Sequence, residues 1–125
     1  AHCDFVERDP NTASLLNANI NDLSCEDRST LHCADAISFL ATHQNQTWDL
    51  IFVDTPFSSS LANTTLVEIH EQQCLDREGF IYLEQARADS GYADENYSLF
   101  REKKAGGVVF RLLCPHSRES GQEAV

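Results

Sequence analysis

The residues whose types and spacing suggest chemistry are Asp54, Thr55, Pro56 and Phe57, at the end of "DLIFVDTPF" (49–57). An apolar run stops on a carboxylate, and a proline and an aromatic follow at once. Pro56 lacks an N–H and biases Thr55 toward extended backbone. That geometry holds the Asp54 side chain and nearby carbonyls as acceptors at the edge of a sheet. Phe57 adds a flat surface. Acceptors beside an aromatic plane suit a planar base with an exocyclic amine. They take the amine hydrogens, orient its nitrogen and favour attack on an electrophile, while stacking contributes about 1–3 kcal/mol. The competing reading is structural, with Asp54 capping the next helix and Phe57 packed in the core.

Other carboxylates fall at comparable places. Glu7 and Glu84 end apolar runs, and Asp35 follows another. In open α/β sheets ligands bind beyond the C-terminal ends of the strands, where a carboxylate accepts two ribose hydroxyls. Glu7 fits that role, and a charged strand terminus is its plain alternative. The glycine-rich turn of a dinucleotide fingerprint is missing, because the sequence contains no G-x-G.

The elements that must position these groups follow from periodicity. "CDFVE" (3–7), "STLHCA" (29–34), "WDLIFVD" (48–54) and "FIYLE" (80–84) read as strands, the third buried on both faces by its continuous apolar run. Asp9 and Pro10 open a helix whose apolar face carries Ala13, Leu16, Ile20 and Leu23. Asp35 caps a helix through "AISFLATH". A third helix spans 58–75, with Leu66, Val67, His70 and Cys74 on or near one face. "YSLFREKKA" and "VVFRLLC" flank Gly106-Gly107, a hairpin signal. Strands alternating with helices imply a parallel sheet with helices on both faces, here closed by an antiparallel hairpin.

The 125 residues suit one domain, 1–125, with 42% apolar residues. No apolar run approaches the roughly 18 residues of a membrane span, so a soluble cytoplasmic protein is expected. Five cysteines without a C-x-x-C pair read as reduced, mostly buried thiols. His2-Cys3 and His32-Cys33 lack paired ligand spacing, and no metal site is expected. His43, His70 and His116 are assigned no chemistry. A formal net charge of −11 argues against a broad basic face for nucleic acid. The local basic cluster is Arg101, Lys103 and Lys104. There is no methionine, which allows the chain to begin inside a longer parent.

The set "FVERDPNTASLLNANINDL", "ADAISFL", "WDLIFVDTPF", "GFIYLE" and "SLFREKKAGGVVFRLL" resembles the RsmD-like class I methyltransferases, in that family's order and at about its spacing. The resemblance runs from Cys3 to about Leu113. It implies a Rossmann-like α/β sheet, mostly parallel with a C-terminal antiparallel hairpin. It also implies S-adenosylmethionine-dependent methylation of the guanine exocyclic amine in small-subunit ribosomal RNA. By resemblance Asp54, Pro56 and Phe57 form the catalytic motif, usually D-P-P-F, with Thr55 in place of a proline. Glu7 holds the cofactor ribose, and Asp35 and Ala36 lie against its adenine. Arg101, Lys103 and Lys104 face RNA phosphate.

The family's first strand and glycine-rich cofactor loop are absent, which leaves half a cofactor site. That strand is central, lying between the strands corresponding to 3–7 and 49–54. Two compensations are therefore expected: these strands pair directly, or a homodimer completes the sheet. The alternative to an enzyme is a truncated, inactive methyltransferase-fold protein serving as a binding or assembly module.

Overall fold

The computed structural model describes residues 1–54, 60–89, 91–92 and 95–116. They fall into two compact units, Ala1–Thr42 and His43–Val125.

The first unit contains β1 (Cys3–Glu7), α1 (Pro10–Asp22), a 3-10 turn, β2 (Ser29–Cys33) and α2 (Ala36–Ala41). The strands pair in parallel, from Cys3 opposite Ser29 to Glu7 opposite Cys33. Asp9 starts α1 as the sequence predicts. Its backbone is extended, Pro10 occupies the first turn, and Oδ2 accepts the Thr12 N–H at 2.9 Å. Asp35 starts α2 in the same way, accepting the Ser38 N–H at 3.1 Å. Ala13 and Ile20 of α1 and Phe39 and Leu40 of α2 are the buried apolar residues of this unit.

The second unit contains β3 (Trp48–Asp54), α3 (Leu61–Glu71), β4 (Leu75–Ala86), a 3-10 turn, β5 (Tyr97–Ala105) and β6 (Val108–Pro115). The sheet order is β3-β4-β6-β5, with β3 and β4 parallel and the remaining pairs antiparallel. The hairpin between β5 and β6 forms at the two glycines, where Gly106 takes φ +59°. Val53, Ile81, Leu83, Val109 and Leu113 pack with Ala62, Leu66 and Ile69 of α3 as the core. The Tyr97 hydroxyl ties the sheet to the helix, donating to the Leu66 carbonyl at 2.6 Å.

Several expectations are corrected. β3 is not buried on both faces: Val53 is 4% exposed, but Leu50 is 49% and Phe52 68% exposed. Within this unit α3 packs against β3 and β4 on one side only, so alternate residues of the apolar run remain open. The buried face of α3 is Ala62, Thr65, Leu66 and Ile69, whereas Val67 is half-buried and His70 exposed. The helix ends at Glu71 rather than 75, because Gln73 turns left-handed (φ 53°) and the Cys74 N–H bonds back to the Ile69 carbonyl at 3.1 Å. Leu75 then opens β4, five residues before the predicted start, and pairs with Trp48.

Cys74 and Cys114 are buried, but Cys3 and Cys33 are exposed and Cys25 half-buried. Cys3 and Cys33 sit at the ends of a two-stranded sheet, too small to enclose them. β1 ladders with β2, and β3 with β4. The expected direct pairing of β1 with β3 is not among the ladders of the described residues. No helix among those residues is long and apolar enough to cross a membrane.

Candidate functional site

Asp54 is the last residue of β3 and is exposed. In a parallel pair, partners in register project from the same face roughly 5 Å apart. Asp54 is in register with Glu84 of β4, so the two carboxylates stand side by side at the C-terminal ends of their strands. Their hydrogen bond holds the Glu84 carboxyl above the usual carboxylate range, and burial and the Asp54 charge raise it further. Thr55, Pro56 and Phe57, which complete the motif expected from the sequence, lie outside the described residues.

The row continues across the sheet. Glu84 is in register with Phe110 of β6, and Phe110 with Lys103 of β5. One row back stand Phe52, Tyr82, Leu112 and Arg101, in register in the same way. Their rings form a band: Phe52 to Tyr82 at 5.6 Å between centroids, Tyr82 to Phe110 at 6.0 Å. One face of the sheet therefore presents two carboxylates at one corner, aromatic rings across its middle and two cations at the far strand.

The three expected RNA contacts are all exposed on β5 but do not share a face. Arg101 and Lys103 join the aromatic band, and the Arg101 guanidinium lies 5.6 Å from the centre of the Phe100 ring. Lys104 projects to the other side, 3.9 Å from Glu102. On that side Arg111, only 7% exposed, donates to Glu102 and Gln85, each at 2.8 Å.

In the first unit Glu7 and Asp35 occupy the C-terminal edge of the β1–β2 pair, as expected, and both perform structural work. Glu7 Oε1 accepts the Asp9 N–H at 3.1 Å, fixing the turn into α1. Asp35 Oδ2 accepts from the Ser38 N–H and hydroxyl, and Ala36 is the first residue of α2. Glu7 Oε2 stands outside the turn bond, and a carboxylate oxygen is the acceptor type that a ribose hydroxyl needs. The described residues contain no group of three His, Cys, Asp or Glu that could hold a metal ion.

Sequence reasoning placed Glu84 at a strand end but gave it no role, and passed over Tyr82 and Phe110. The period-two alternation of "FIYLE" and "VVFRLL" carries the signal, since it sets Phe80, Tyr82 and Glu84 on one face. That Asp54 would face Glu84 depends on strand register, which no single segment encodes.

The family model described as "Conserved hypothetical protein 95" matches residues 1–114. Ribosomal RNA small subunit methyltransferase D of Haemophilus influenzae is 31% identical over 110 residues, covering 86% of this chain and 57% of the relative. The protein of the same name from Escherichia coli K12 is 30% identical over 122 residues, covering 96% and 59%. The chain thus spans less than two-thirds of the length of these relatives. A solved Escherichia coli protein, provisionally described as a methyltransferase, superposes with TM-score 0.83 at 29% identity, over 92% of this chain and 64% of that one. The ribosomal protein L11 methylase of Lactobacillus delbrueckii has TM-score 0.72 at 9% identity, over 91% and 57%, a likeness of fold alone.

Proposed function

The chain belongs to the conserved hypothetical protein 95 family, that of the small-subunit ribosomal RNA methyltransferases D, and from that premise we propose that it carries the base-accepting half of such an enzyme. The fold is that of the class I methyltransferases. The substrate is the exocyclic amine of a guanine in small-subunit ribosomal RNA, and the cytoplasm is where that substrate lies. The observation that carries this reading is Asp54, exposed at the C-terminal end of a parallel strand with a second carboxylate in register beside it.

β1 and β3 are each laddered on one side among the described residues. Each of these edges can take a further strand, and in the family resemblance a glycine-rich cofactor loop accompanies such a strand. S-adenosylmethionine, when bound, supplies an electrophilic methyl on a sulfonium. Glu7 Oε2 accepts a ribose hydroxyl of that cofactor, and Asp35 and Ala36 border its adenine. Asp54 accepts the hydrogens of the guanine amine and turns its nitrogen toward the methyl. Pro56 and Phe57 complete the catalytic motif with Asp54, as the family resemblance implies. Arg101 and Lys103 contact phosphate from β5, on the face that carries Asp54, and Lys104 contacts it from the rim.

A second reading, a methyltransferase fold that serves as a binding module or homodimer, draws support from the exposed Leu50, Phe52 and Phe100. Titration calorimetry with S-adenosylmethionine separates the two. A half-site gives no micromolar binding by this chain alone, and micromolar binding by a polypeptide carrying it together with the remaining length of the relatives. Absence of binding by the longer polypeptide would favour the module.

A further inference from the structure

Among the described residues, Glu84 is the charged neighbour that the strand register sets beside Asp54. The two residues are the terminal register pair of the β3–β4 ladder, on adjacent parallel strands and on the same face. Two ionised carboxylates side by side repel, and a hydrogen bond between them requires a proton on one. The asymmetry of their surroundings decides which. Asp54 is exposed at the outer strand, whereas Glu84 is half-buried between β3 and β6, with Phe110 in register on its other flank. Burial disfavours the charged form, so a proton shared by the pair falls to Glu84 rather than to Asp54.

Among the described residues, the other titratable groups on this face of the ladder are Tyr82 of the same strand and Arg101 and Lys103 of β5. The two cations lie two strands from Glu84, with β6 between. They are too distant and too exposed to replace the proton, because at roughly 10 Å exposed charges are largely screened. α3 packs against the opposite face.

We propose that Glu84 is a positioning residue for the methyl-accepting site: it carries a proton and donates it in a hydrogen bond to Asp54. The inference rests on the reading of Asp54 given above and assigns its neighbour a part in the same reaction. A protonated Glu84 occupies one lobe of the Asp54 carboxylate and leaves its remaining lone pairs for the amine. Were S-adenosylmethionine bound, it would supply the methyl to the amine nitrogen, the new N–C bond replacing the C–S bond, whose electron pair would stay on sulfur. The nitrogen then sheds one proton to Asp54, which passes it to water. Glu84 begins and ends the cycle protonated.

The proton also links the pair to stability. The folded state holds the Glu84 carboxyl above its unfolded value, so it binds the proton more tightly than the unfolded chain. The stabilisation is full below the unfolded value and is lost as pH rises through the folded one.

Carbon-13 NMR of the carboxyl carbons, followed against pH in this chain and in its Asp54→Asn and Glu84→Gln variants, tests the proposal without methyl transfer. Glu84 titrates above the ordinary glutamate range in the parent chain and returns to that range in Asp54→Asn. In Glu84→Gln the fall in urea midpoint with rising pH flattens. A Glu84 that titrates in the ordinary range and ignores Asp54→Asn overturns the proposal and leaves the methyltransferase reading standing. An upward-shifted Glu84 in a chain whose longer form never methylates RNA sustains the pair and removes the reaction.

Discussion

Replacing Arg111 with Met should unfold the second unit more readily while leaving the residues of the acceptor face unchanged. Arg111 is 7% exposed in β6 and projects away from Asp54 and Glu84. Its Nε donates to Glu102 Oε2 and its Nη1 to Gln85 Oε1, each at 2.8 Å, and its guanidinium lies 5.1 Å from the centre of the Tyr92 ring. Gln85 also donates from Nε2 to the Gly91 carbonyl at 2.8 Å, so one network joins three strands to the segment after β4. Met fills much of the arginine volume but has no donor. Loss of the bond to Gln85, itself 7% exposed, costs about 1–3 kcal/mol, since a buried acceptor is left without it. The Glu102 side chain is 30% exposed, so water screens its lost partner and the further cost stays below about 1 kcal/mol. Together the two losses come to about 1–4 kcal/mol. Glu102→Gln retains an acceptor for Nε and should cost about 1 kcal/mol or less. The single tryptophan, Trp48, lies in β3 and reports on this unit alone in urea denaturation followed by fluorescence. A loss below about 0.5 kcal/mol for Arg111→Met, or equal losses for the two variants, would refute the network as the source of stability.

Two further substitutions probe the scaffold that aligns β3 with β4. A Cβ at Gly79 would stand 2.7 Å from the Asp49 carbonyl oxygen and 3.0 Å from that of Asp76, so Gly79→Ala must move backbone. It should cost about 2–3 kcal/mol in the same assay, and a neutral result would contradict the close approach of the two strands. Tyr97→Phe removes the 2.6 Å bond from the Tyr97 hydroxyl to the Leu66 carbonyl and should cost about 0.5–1.5 kcal/mol. Burial pushes the Tyr97 phenol well above its ordinary value, with Cys74 adding to the shift. The parent chain should therefore show no ultraviolet tyrosinate signal from Tyr97 until it unfolds in alkali.

The parts legible in the sequence carry their cause within a few residues. Asp9-Pro10 specifies the start of α1, Asp35 the start of α2, and Gly106-Gly107 the hairpin. The parts that were not legible depend on partners remote in sequence. "DLIFVD" reads the same whether one face or two are covered, and α3 covers only one. The end of α3 carries no glycine or proline, because Gln73 adopts the left-handed turn without either. "LDREG" reads as a polar link, yet Leu75 enters the ladder opposite Trp48. The candidate site divides in the same way. Asp54 stands out by its own context, whereas Glu84 gains its meaning only from the β3–β4 register.

Tritiated methyl transfer tests the assignment of Asp54 most directly. The assay uses S-adenosylmethionine, small-subunit ribosomal RNA and a polypeptide that joins this chain to the remaining length of its relatives. The label should appear on a guanine exocyclic amine. Asp54→Ala should lower the rate by about 100-fold or more, the scale of a lost positioned acid–base group, while the cofactor dissociation constant holds. Undiminished transfer by Asp54→Ala would contradict the account.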